Sequence, residues 1–118
     1  MKSSDLRKMP IFVVSSIIIL LALAVAAEEG LYKNQGSIAR IDLSKNTMEV
    51  NERIFVWNQN TAFYDDKGFP IDKDKFKPKS WIYVQGTIRR DNTISIEKIY
   101  LLPKYVGKKE RHLYPFME

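Results

Sequence analysis

The chain has 118 residues, a net charge of +5 and no cysteine. Disulfides, cysteine-ligated metals, thiol nucleophiles and a lipoprotein anchor, which needs a cysteine at its processing site, are thereby excluded. Three of the basic residues (Lys2, Arg7 and Lys8) crowd the N-terminus. The remainder is only mildly basic, which permits attraction to anionic lipid, polysaccharide or nucleic acid without demanding any of them.

Residues 1–27 read as an export segment. A basic stretch ending at Pro10 is followed by Ile11–Ala27, which carries no charge. Ala24-Val25-Ala26 and Val25-Ala26-Ala27 place small residues where a signal peptidase needs them. The apolar run is short for a membrane span, which takes about 20 residues. A cleaved signal peptide is the first reading and an uncleaved signal anchor the second. In both, the basic residues stay in the cytoplasm and the rest of the chain lies outside it. The expected location is periplasmic or extracellular, or membrane-anchored with the domain on the outer side.

Residues 28–35 (EEGLYKNQ) are polar and read as a linker. From Gly36 onward, short runs rich in Ile, Val, Phe, Tyr, Trp and Thr alternate with turn residues, and no helical period persists. The first strand is expected at Ser37–Leu43. Its inward residues Ile38 and Ile41 stand three apart, which predicts a bulge because a regular strand repeats every two. Ser44-Lys45-Asn46 turns the chain into Thr47–Val50. Asn51-Glu52 then makes a two-residue hairpin, without the glycine of the strongest signal. Arg53–Trp57 follows, then a short strand at Thr61–Tyr64.

Residues 69–80 are lysine-rich, with Pro70 and Pro78 unable to donate to a ladder. A loop with one helical turn is predicted, pinned by Ile71 and Phe76. Trp81–Arg89 is the clearest strand, and Gly86 in its middle marks a sharp bend. Thr93–Leu102 is the last strand. Ile94 and Ile96 fall out of phase with Ile99 and Leu101, so a second bulge is predicted there. Pro103 ends the sheet, and residues 103–118 form a basic aromatic tail.

Five or six short strands with bends and bulges in residues 36–102 favour an all-β, antiparallel, OB-like barrel, because closure removes the exposed edges of a small sheet. An SH3-like barrel or small sandwich is the alternative. Gly36-Ser37-Ile38, Met48–Asn51, Thr61–Gly68 and Trp81–Thr87 fall in an order that resembles a small exported bacterial domain family of unknown function. The chain departs from it at Asn51-Glu52 and at Lys79-Ser80, where that family carries glycine. The resemblance implies a non-catalytic envelope module and transfers no functional residue.

The candidate sites are sparse. Lys73, Lys75, Lys77 and Lys79 alternate and would form one positive row if extended, with Arg89 and Arg90 nearby and Trp57, Trp81 and Tyr83 as stacking surfaces. OB folds bind single strands with such a combination, but a solvated lysine loop is its commoner use, and export disfavours nucleic acid. Asp65, Asp66, Asp72 and Asp74 do not meet the spacing of a calcium loop, and interleaved lysines oppose a cation. Glu49, Glu52 and Glu97 lie on different strands with nothing to mark them as paired acids. His112 is the sole histidine. The segment His112–Pro115 after a barrel is similar to the haem chaperone of cytochrome c maturation, which implies a haem carrier using His112. The acidic motif of that family is missing, and a solvated histidine is the plainer reading.

The expectation is therefore no enzyme, no metal and no cofactor. The expected protein is a binding or accessory module of the envelope that contacts an anionic ligand or a protein partner. A membrane-tethered accessory subunit is a further alternative.

Overall fold

The computed structural model describes residues 28–117. The export segment expected at 1–27 lies outside them. No helix among the described residues is long and apolar enough to cross a membrane.

The protein is all-β. Six strands run β1 (Glu28–Asp42), β2 (Thr47–Val50), β3 (Arg53–Val56), β4 (Ala62–Tyr64), β5 (Trp81–Arg89) and β6 (Ile94–Leu102). They form one sheet in the order β3-β2-β1-β5-β6-β4, and an additional pairing of β3 with β6 returns the ladder on itself. Most neighbours are antiparallel, as expected, but β3–β6 and β4–β6 are parallel. The sheet is mixed, and the wholly antiparallel expectation is corrected. The parallel closures follow from chain path. After β3 the chain crosses the structure through β4 and the 65–80 loop, so β6 reaches β3 running in the same direction.

Both predicted bulges are present. Ile38 pairs with Val50 and Arg40 with Glu49, which leaves Ala39 as the extra residue in β1. Gly86 pairs with Ile96 and Gln85 with Lys98, which leaves Glu97 as the extra residue in β6. A bulge bends a strand and increases its twist, and these two bend β1 and β6 far enough for the ring to close. Gly86 is required at the second bend. A Cβ there would stand 2.1 Å from the Ser95 carbonyl oxygen, a contact no side chain can make. The Asn51-Glu52 hairpin also forms. Both residues have positive φ, 53° and 63°, as a two-residue loop with the twist of the flanking strands demands.

Residues 28–35 are not a linker. They are the first half of β1 and pair with β5 from Glu28↔Arg89 to Gln35↔Tyr83. Nor is the segment after Pro103 a free tail. It forms two 3-10 turns, Lys108–Leu113 and Pro115–Met117, and packs on the sheet.

Two apolar clusters result from the alternation of each strand. The inner cluster fills the ring with Ile38, Met48, Val50, Phe55, Ile82 and Ile94, together with Trp57 and Phe76 from the connections. The outer cluster joins Tyr83, Tyr100 and Leu102 on the opposite faces of β5 and β6 to Val106 and Met117 of the C-terminal segment.

Candidate functional site

The side of β1 that faces β5 is occupied only as far as Ile38. Its N–H donates to the Ser80 carbonyl at 2.9 Å, and its own carbonyl accepts from the Lys79 N–H at 2.7 Å. Lys79 takes a left-handed turn, φ 76°, and Pro78 has no N–H to continue the ladder. The chain therefore peels away from β1. A groove of about 740 Å³ opens between residues 40–43 and the segment 74–78, with Ile54 of β3 at its rim.

The groove mixes charge and apolar surface. Arg40 and Lys77 stand with Asp42, Glu49 and Asp74, and Ile41, Leu43, Met48 and Phe76 line the rest. Leu43 and Ile54 are exposed large hydrophobic residues beside it. Arg40 Nε lies 3.5 Å from Glu49 Oε1, with the Arg40 side chain almost fully in solvent, so the pair adds little to stability. The Asp42 carboxylate accepts from the Ser44 hydroxyl at 2.6 Å and from the Ser44 and Lys45 N–H groups. The Ser44 hydroxyl is the main cause holding its pKa below the ordinary value, with the two N–H groups acting in the same direction. It stays ionised through the physiological range.

The predicted lysine row does not form. Lys73–Lys75 is a 3-10 turn, so the strand-like alternation is broken. All four lysines are exposed, but Lys77 borders the groove while Lys73 borders a separate hollow of about 290 Å³ beside Trp57 and Asn58. Arg89 is exposed at the far end of β5. At the usual rise per residue of a strand, that is on the order of 25 Å from Trp81 at the other end, beside which Lys79 lies. The aromatic residues foreseen as stacking surfaces are engaged in packing. Trp57 belongs to the inner cluster, Tyr83 lies under the C-terminal segment, and the Trp81 ring meets Tyr105 at 5.8 Å. The indole N–H of Trp57 is buried with no hydrogen-bond partner.

His112 is exposed in the turn Lys108–Leu113 and borders none of the hollows described. No group of three or more His, Asp or Glu side chains able to hold a metal gathers among the described residues. Asp65 organises its own turn, accepting from the N–H groups of Lys67 and Phe69.

Two glutamines that the sequence gives no reason to single out organise the outer face. The Gln35 amide donates to the Val106 carbonyl at 2.7 Å and accepts from the Val106 N–H at 2.8 Å. Gln85 donates to the Phe116 carbonyl at 2.9 Å. Between these ties, the Phe116 ring stacks on Tyr100 at 3.8 Å, and Tyr64 stacks on Tyr100 at 5.0 Å. Burial, followed by the neighbouring Tyr64 and Tyr83, pushes the Tyr100 hydroxyl pKa up. The signal for this docking is split between glutamines in β1 and β5 and aromatics near the C-terminus, and no single segment displays it.

No family profile matches the chain, and no curated protein is similar to it. Among solved structures, the chain is similar to the crystal structure of the fimbrial biogenesis protein PilY2 from Pseudomonas aeruginosa PAO1. The identity is 17% and the TM-score 0.49, over 73% of this chain and 94% of that one. A likeness of that degree carries no argument about function.

Proposed function

We propose that residues 28–117 are an OB-like barrel that works outside the cytoplasm as a non-catalytic binding module, and that the groove beside β1 receives a protein partner. Strands β1, β2, β3, β5 and β6 make the ring, with β4 as a short addition beside β6. That arrangement fits a five-stranded, partly open Greek-key barrel. Residues 1–27 deliver the module and either leave it free or hold it at the membrane as an accessory subunit.

The observation that carries the reading is the composition of the groove. It holds three carboxylates against two cations, alongside apolar side chains. A polyanion would meet net repulsion there, whereas a polypeptide can match both signs and cover the apolar surface. The dispersed lysines Lys73, Lys75, Lys77 and Lys79 offer a weaker, anionic reading. Replacing Lys73, Lys75 and Lys79, which do not line the groove, with Gln should leave protein capture by the groove in place. Loss of capture in that variant would return the anionic reading to the front.

The test is a photo-crosslinking amino acid placed at Leu43, on the groove, or at Phe69, which is exposed and borders none of the hollows described. Expressed from the native start codon, the protein should give a discrete protein adduct in the envelope fraction from position 43 and none from position 69. Equal adducts at both positions, or none at 43, contradict the reading. The intact mass of the same material distinguishes a released module beginning near Glu28 from a tethered chain beginning at Met1.

A further inference from the structure

The groove is the open edge of a strand, and the geometry of β1 says which backbone groups it offers. In the two-residue hairpin, Val50 and Arg53 face each other across the turn and exchange both ladder bonds. Antiparallel pairing alternates, so Met48 also bonds toward β3, while Glu49 and Thr47 bond toward β1. Their partners on β1 are Arg40 and Asp42. The backbone N–H and carbonyl of Ile41 therefore point the other way, into the groove. Beyond the Ile38 bonds to Lys79 and Ser80, no backbone hydrogen bond spans that side of β1 among the described residues.

Open edges in monomeric proteins are commonly blunted, and this chain does so elsewhere. The Gln35 N–H, on the other edge of β1, is capped by the Asn34 side chain at 2.9 Å. At Ala39–Leu43 no such cap is present, and Leu43 is 41% exposed. The charges on this edge do not act as a guard against its own copy. A single-sign edge repels itself, but here the signs alternate about Ile41.

We propose that Ala39–Leu43 pairs antiparallel with the same edge of a second copy of this chain, about a two-fold axis through Ile41. This rests on the reading of the groove as a protein-binding surface and names its occupant. In that register the two Ile41 residues exchange both backbone bonds. Arg40 faces Asp42 of the second copy, and Asp42 faces its Arg40, so one symmetric contact makes two opposite-charge pairs. Leu43 faces Ala39 of the second copy and loses its exposure to water. Each position in the segment meets a compatible one, as an isologous interface requires. Opposed residues on antiparallel strands are the pairs whose side chains interact most directly.

The experiment is sedimentation of the protein recovered from the envelope fraction, in detergent if the anchor is retained. The parent should dimerise at high micromolar concentration. Arg40→Asp sets like charges opposite each other twice and should weaken the dimer on the order of 10-fold. Adding Asp42→Arg to that variant should restore it. Asp42→Arg also removes the bonds to Ser44 and Lys45, so a second variant keeps the test sound. The chain has no cysteine, and Ile41→Cys would stand at about 5.5 Å Cα to Cα from its copy, within reach of a disulfide. Mild oxidation should link Ile41→Cys into dimers and leave a Lys67→Cys control monomeric. A monomeric parent, a dimer indifferent to Arg40→Asp, or no link at position 41 would overturn the proposal. If the edge fails these tests while the crosslinker at position 43 still captures a different protein, the binding module stands and its self-pairing falls. If position 43 captures nothing, both readings fall.

Discussion

The inside of the ring and its outer face are built by different rules. Inside, Phe55, Ile82, Ile94 and Ile99 are completely buried because the strands alternate and the two bulges curl them around a common core. Outside, Tyr83 and Tyr100 are buried because a later segment of chain is laid over them, tied by Gln35 and Gln85. The inner core follows from local periodicity. The outer cluster depends on hydrogen bonds between residues 71 positions apart in sequence, and so on the ring having formed first. The difference teaches that two clusters of similar chemistry can stand at different levels of the folding hierarchy, one organising the domain and the other closing it.

The largest effect should come from the ring. Gly86→Ala forces a methyl into the Ser95 backbone, and neither strand can retreat without opening the β5–β6 ladder. A loss of about 3 kcal/mol is expected by chemical denaturation, at the upper end of overpacking costs. A near-neutral result would mean that the bend is softer than the register implies.

Gln35→Leu should cost about 2 kcal/mol, because it leaves the Val106 N–H and carbonyl without their partner. Its character sharpens the comparison. Limited proteolysis should cut after Pro103 while the inner aromatic signals persist, since the ring does not need the segment. If Gln35→Leu unfolds the whole chain as Gly86→Ala does, the two regions are a single unit and the distinction is wrong.

Glu52→Gly should stabilise the ring by about 1 kcal/mol, because glycine takes the left-handed conformation at φ 63° without a Cβ clash. The gain should raise the denaturation midpoint without altering susceptibility of the C-terminal segment to protease.

The smallest effect is on pH. The folded pKa of Tyr100 is raised above the ordinary value of 10.0. Its contribution is therefore complete below that value and is lost as pH rises through the folded pKa. The outer cluster should loosen in that alkaline range. Ultraviolet titration of the phenols, compared with Phe116→Ala, checks it: removing the cover should let Tyr100 ionise at lower pH.

Much of the ring was legible in the sequence for physical reasons that individual residues illustrate. The three-residue spacing of Ile38 and Ile41 announced the bulge at Ala39. The phase slip between Ile96 and Ile99 announced the bulge at Glu97, and Gly86 announced the bend. The first half of β1 was not legible. Of its alternate residues in phase with Ile38, only Tyr32 packs against the inner cluster, while Asn34 is polar and exposed and Gly36 has no side chain, so the strand is set by its partner β5 and not by its own alternation. The lysine row misled because alternation in sequence becomes a row only on extended backbone, and the 3-10 turn at Lys73–Lys75 divides it. The groove itself could not be read, since it arises where Pro78 and the left-handed Lys79 lift the chain off β1. That is a tertiary gap with no counterpart in any one segment.

Hydrogen exchange read by mass spectrometry on the purified protein tests the central proposal most directly: that the C-terminal segment seals one face of the ring and leaves the β1 edge for a protein partner. In dilute protein, peptides covering 105–117 should be protected, and within 39–46 the Ile41 amide on the open edge should exchange quickly while the ladder-bonded amides of Arg40 and Asp42 exchange slowly. At high concentration, exchange at Ile41 should slow while 105–117 stays unchanged. Rapid exchange throughout 105–117, with the Ile41 amide already protected in dilute protein, would contradict the account.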